Sequence, residues 1–226
     1  MTYSQIYILL LVLILVPGIV AQIRVSSAIR KYSRIPSRSG KTGAEVAAEI
    51  MQDAGIYDVT IQQANSFLGD HYDPTKKTLV LSHDVYNSDS VAAIGIAAHE
   101  AGHAIQHKNA YAPLQARMAV VPATMFVSQA LPLIVIGGFF FRIPMFINLG
   151  IIAYTVIVLF QLITLPVEFN ASARAKRILQ QSGIARTDEM VGVNHVLNAA
   201  AMTYLAALIA AAAHLAWLIL ASRDRR

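Results

Sequence analysis

No cysteine occurs in the 226 residues, which excludes a disulfide framework and any thiolate metal site, so a bound metal must be held by histidine or carboxylate. Charge is scarce as well. Only 14% of residues are charged against 56% hydrophobic, too apolar a balance for an ordinary soluble domain and one that points to a membrane. The basic residues outnumber the acids, 18 to 13, and flank apolar runs instead of forming one tract. That pattern suits anchoring at a bilayer better than binding nucleic acid, and no nucleic-acid module is present.

What the chain does have is apolar length. Charge-free runs of about 20 residues, enough to cross a bilayer, extend over Met1 to Ile23, Met118 to Phe141, Ile143 to Val167 and around Val196 to Leu220. Pro122, Pro132 and Pro166 predict kinks in the second and third, which Arg142 and Pro144 separate as a tight hairpin. The first run reads as a retained anchor, because Arg24, Arg30, Lys31, Arg34 and Arg38 follow its apolar core, whereas a signal peptide carries its basic residues before it. Lysine and arginine number 10 from Arg24 to Arg117, 1 at Arg142, 4 from Arg174 to Arg186 and 3 in the tail. The positive-inside rule therefore places both large loops in the cytoplasm and the hairpin turn outside. With four crossings the tail "SRDRR" ends outside, against the rule; either the tail tolerates this or the last segment does not fully span.

The expected organisation is an anchor over 1–23, a cytoplasmic region over 24–117, a transmembrane hairpin over 118–167, a cytoplasmic helical segment over 168–195, and a last helix with its basic tail over 196–226. This is a mainly α membrane protein of about four transmembrane helices with a small cytoplasmic α+β region, integral to the cell membrane. Within that region "SGKTGAEVAAEIMQDAG" predicts a helix starting at Ser39 or Thr42 and stopped by Gly55. "YDVTIQQ" and "KTLVLS" predict strands joined through "GDHYDP", with Gly69, Asp73 and Pro74 as turn residues. A second helix, containing "AAHEAGHAIQH", is expected from Asp89 or Ser90 to about Asn109.

His99 and His103 stand four residues apart on that helix, hence on one face, where both can bind a single zinc ion, with Glu100 beside them. This is the HExxH spacing: zinc lowers the pKa of a bound water towards about 7 and polarises the scissile carbonyl, and the glutamate acts as general base. Gly102 costs the helix about 1 kcal/mol relative to alanine, which suggests close packing against another element. His107 extends the row, but eight residues place it roughly 12 Å along the axis from His99, too far for a shared ion. It is read as a surface residue or a support for a ligand. The third ligand is expected to be Glu168 in "LPVEFNASARAKRI", just past Pro166 on the same side of the membrane, since the next acids are Asp188 and Glu189. The bland alternative for Glu168 is an interfacial salt bridge to Arg174 or Arg177.

"AAHEAGHAIQH", "DHYDP" followed by "LVLS", "PVEFNASARA" and "VLNAAAMTYLAA" together resemble the YugP-type family of membrane zinc metallopeptidases over nearly the whole chain. That family belongs with the gluzincins, which include the HtpX-type and CAAX prenyl proteases, where a glutamate on a later helix completes the zinc site. The resemblance implies His99 and His103 as ligands, Glu100 as the catalytic residue and Glu168 as third ligand of one Zn²⁺ per chain. Ser172 stands where those relatives often carry an aspartate, which leaves open what orients the two histidines; Asn170 and Ser172 are the candidates.

Other polar residues are placed more loosely. His195 and Tyr204 are candidates to stabilise an oxyanion, or ordinary interfacial residues. His71 is expected in a turn at the cleft mouth or simply exposed, and His214, deep in an apolar run, suits a hydrogen bond between helices. "TLVLS" is expected to offer a strand edge to a substrate, unless it is an internal hairpin strand. These features predict a membrane-anchored zinc endopeptidase acting on membrane or misfolded proteins at the cytoplasmic surface. A site-2-type intramembrane protease fits less well, because polar "HDVYNSDS" and "KN" flank the motif helix. A non-catalytic zinc-binding scaffold is the reading from another class, and the retained Glu100 argues against it. A metal transporter lacks charged residues in three crossings to form an ion path. Expected partners are the polypeptide substrate, the bilayer, and a membrane protein or second copy, and the small residues of the last crossing allow close packing with some other helix.

Overall fold

The computed structural model describes residues 3–64, 69–141 and 144–223. The turn containing Arg142 and the last residues of the "SRDRR" tail lie outside them. Four long helices dominate: α1 (Tyr3–Tyr32), α5 (Ala112–Phe141), α6 (Pro144–Gln181) and α7 (Glu189–Arg223). All four are long and apolar enough to cross a membrane. Between α1 and α5 come α2 (Gly43–Asp53), β1 (Thr60–Gln63), β2 (His71–Asp73), β3 (Thr78–Leu81), α3 (His83–Tyr86) and α4 (Val91–Lys108). Pro122, Pro132 and Pro166 all lie inside unbroken helices.

Two compact units emerge, each assembled from separate chain segments. The first comprises Met1–Gln22, Gln115–Leu165 and Thr203–Arg226. Its apolar side chains face outward, with Phe126 73% and Leu133 72% exposed, as helices do when their solvent is lipid. Small residues allow close helix contact: a side chain on Gly137 would collide with Phe146, and one on Gly150 would press on Leu218.

The second unit, Ile23–Leu114 with Pro166–Met202, has the only extensive hydrophobic core found among the described residues. Leu79 and Leu81 of β3, Val46 and Ile50 of α2, Ile94 and Ala97 of α4, Leu179 of α6 and Val193 of α7 are its sealed members. The helix starts follow from local chemistry. Thr42 caps α2 in a reciprocal box with Glu45, and Gly55, at φ 66°, turns the chain away after its end. Ser90 caps α4 by accepting the Ala93 N–H, and Asn109 closes it.

The sheet departs from expectation. Its order is β1-β3-β2, with β3 parallel to β1 and antiparallel to β2. "GDHYDP" is not simply a turn, because His71 to Asp73 pair with Thr78 to Val80. "TLVLS" is not a free edge but the internal hairpin strand: β3 pairs antiparallel with β2 across a short turn and parallel with β1, so both its edges are occupied and no substrate strand can add to it. Three-residue β2 is too short to show a strand period, which hid both facts in the sequence.

Candidate metal centre

Helix α4 is buried along most of its length, and an alanine-rich surface lets it be so: Ala97, Ala98 and Ala101 have no exposed surface. Small side chains bring neighbouring helices close. At Gly102 the approach is backbone to backbone, since a Cβ there would lie 2.9 Å from the Ala171 carbonyl oxygen of α6. The close packing suggested by a glycine inside this helix is thus present, and its partner is the helix that carries Glu168.

Three donor atoms converge at that crossing. His99 Nε2 lies 3.2 Å from His103 Nε2 and 3.2 Å from Glu168 Oε2, and His103 Nε2 lies 3.6 Å from the same oxygen. An ion bound tetrahedrally with bonds of about 2.0–2.1 Å needs its ligand atoms about 3.3 Å apart, so the three atoms have the spacing of three tetrahedral corners. Nitrogen, nitrogen and carboxylate oxygen are also a donor set suited to zinc. Side-chain exposure falls from 14% at His99 to 2% at Glu168, so access to the remaining corner is past His99.

The outer nitrogens of both rings are fixed as well. Gln106 commits both amide hydrogens, donating from Nε2 to the Val167 carbonyl at 2.8 Å and to Asn170 Oδ1 at 3.0 Å. Its Oε1 is therefore the acceptor that faces His103 Nδ1 at 3.0 Å, and His103 presents the lone pair of Nε2 to the centre. Ser172 Oγ stands 3.1 Å from His99 Nδ1. The two candidates thus divide the work: Ser172 meets His99 directly, while Asn170 reaches His103 through Gln106 and also accepts from Arg174 Nε at 2.7 Å. Gln106, with no exposed surface, was not among the expected residues. Its signal was its position, three residues after His103 and on the same helical face.

Burial works against a charge on His103, but its contact with Glu168 and the Glu100 carboxylate prevail, and its pKa is raised above the ordinary value. Glu100 is 7% exposed. Its carboxylate accepts no hydrogen bond from a described residue.

The remaining histidines have other neighbours. His107 Nδ1 accepts from the Tyr72 hydroxyl at 2.8 Å; burial, then the Asp58 and Asp73 charges, pushes that phenol up to about 12, so it stays a donor. His71 lies on β2 with Nδ1 2.9 Å from the Gly69 carbonyl. His195 stacks on Tyr32 and bonds its hydroxyl through Nδ1 at 2.9 Å. His214 donates from Nδ1 to the Ala210 carbonyl of its own helix and stacks on Tyr154 of α6 at 4.8 Å, so it does serve a helix pair, by ring contact. Tyr204 is half-buried on α7.

Residues 6–223 match the model of a family described as "Putative neutral zinc metallopeptidase". The "Putative membrane protease YugP" of Bacillus subtilis (strain 168) is 47% identical over 189 residues, covering 84% of each chain. No solved structure matches. The chain belongs to this zinc metallopeptidase family.

Proposed function

We infer that this family member is a membrane-anchored zinc-dependent endopeptidase that cuts extended segments of membrane or misfolded proteins at the cytoplasmic surface. The observation that carries the reading is the three-donor cluster of His99, His103 and Glu168, with both outer ring nitrogens already engaged. Such support holds each ring in the tautomer a metal needs. His99, His103 and Glu168 would hold one Zn²⁺ per chain. When bound there, zinc supplies Lewis acidity to water and to the scissile carbonyl.

This chain's own residues account for the rest. Glu100 takes the proton of the attacking water and delivers it to the departing amine. Ser172 and Gln106 hold the imidazoles against rotation. No oxyanion donor is assigned, since His195 is held against Tyr32 and lines a groove that shares no residue with the three donors. Cytoplasmic action is supported by the concentration of lysine and arginine in the segments that build the second unit.

Two substitutions test the reading. Glu100→Gln is expected to lower turnover of an unfolded test protein by about 10²–10⁴-fold while zinc per chain stays near that of wild type; unchanged cleavage overturns the assignment. Glu168→Ala is expected to reduce zinc from near one per chain to a small fraction. Full zinc in that variant means that another residue closes the site.

A further inference from the structure

A groove of about 480 Å³ runs between α1 and α7 in the second unit, and none of its lining residues belongs to the three-donor cluster. From α1 it takes Arg24, Ser27 and Lys31, and from α7 His195, Asn198 and Met202. Both sets have the i, i+3, i+7 spacing of a single helical face. The two helices run in opposite directions along it, so Ile23 and Met202, next to the apolar stretches of their helices, mark one end and Tyr32 with His195 the other.

None of the ten lining residues is acidic. Arg24 and Lys31 have no carboxylate partner among the described residues; the Lys31 ammonium lies 5.0 Å above the Tyr32 ring instead. A third cation stands behind the wall, where Lys176 of α6 donates to Asn198 Oδ1 at 2.6 Å. A groove that is apolar at the end adjoining the bilayer-length runs, with uncompensated positive charge along it, matches an amphiphile with an anionic head. A soluble anion has no use for the apolar end, and an apolar helix has none for the arginine and lysine.

We propose that this groove seats one anionic glycerophospholipid. The phosphate lies between Arg24 and Lys31, headgroup hydroxyls reach His195 and Asn198, and acyl chains leave over Ile23 and Met202. The site is separate from the peptidase centre, so its test does not depend on proteolysis.

The full-length protein in mild detergent is offered equal amounts of dioleoyl phosphatidylglycerol and dioleoyl phosphatidylcholine, and retained lipid is counted by native mass spectrometry. Wild type is expected to keep one phosphatidylglycerol in preference. Arg24→Gln combined with Lys31→Gln should cut that preference by roughly 25-fold, whereas Arg24→Lys with Lys31→Arg should keep it. Ala199→Leu, which narrows the groove without touching charge, should lose the lipid too. Equal retention of both lipids, or unchanged preference in the double glutamine or leucine variant, overturns the proposal. So does inorganic phosphate alone raising the melting temperature of wild type but not of the double glutamine variant, which would make this a free-anion site. A dimer whose formation excludes phosphatidylglycerol overturns it in favour of a second copy.

Discussion

Gln106 ties two helices and a metal-facing imidazole together through one amide. Removing it as Gln106→Leu abandons the Val167 carbonyl and the His103 N–H in a site with no exposed surface, which costs about 1–3 kcal/mol of stability. Zinc affinity should fall by about 10–100-fold. Ser172→Ala should weaken zinc to a similar degree with a smaller loss of stability, because no buried carbonyl is left behind. Competition with a chromophoric chelator measures both, and wild-type affinity in either variant would show that the outer hydrogen bond does not matter there. The donors themselves were readable in the sequence: four-residue spacing put His99 and His103 on one face, and acid scarcity singled out Glu168. Gln106 was not, since a glutamine three residues beyond a histidine looks like any solvated helix position until the neighbouring helix is known.

Helices α4 and α6 can cross this closely because a single methyl group is missing at Gly102. At Gly102→Ala the new Cβ meets a carbonyl oxygen at 2.9 Å. Overpacking of this kind costs about 1–3 kcal/mol, against a helix-propensity gain of about 1 kcal/mol. Because the obstacle is backbone and cannot swing aside, net destabilisation and loss of zinc are expected. Gly95→Ala makes the contrast, since its Cβ would rest 3.6 Å from Val193, ordinary contact; there the propensity gain should stand alone. Denaturant unfolding in detergent compares them, and equal effects would refute the close-crossing account. Caps at Thr42, Ser90 and Asn109 were legible because capping is local chemistry. The parallel pairing of β1 with β3 was not, because it depends on which strand reaches the core, and three or four residues carry no such information.

Over the whole molecule, apolar length and basic flanks allowed the four long helices to be read, yet not where they end. Helix α1 continues through Arg24, Arg30 and Lys31 to Tyr32. Arginine and lysine are good helix formers, and a basic last turn suits the helix dipole, so the loss of apolar character did not mark the helix end. Orientation is open to a direct test because the chain has no cysteine of its own. Tyr57, 81% exposed in the second unit, can be replaced as Tyr57→Cys. A membrane-impermeant maleimide should label it in inverted vesicles and not in intact cells; labelling of intact cells would reverse the topology.

The three donors also impose an order of events during synthesis. His99 and Glu168 are 69 residues apart, and all of α5 and the first part of α6 lie between them. At about 5–20 residues per second, the histidines leave the ribosome several seconds before the carboxylate that completes their set. A nascent chain with only α1 to α4 therefore holds two ligands and a base but no complete centre. Under the proposed function, proteolytic competence waits until the polypeptide has passed through α5 and into α6.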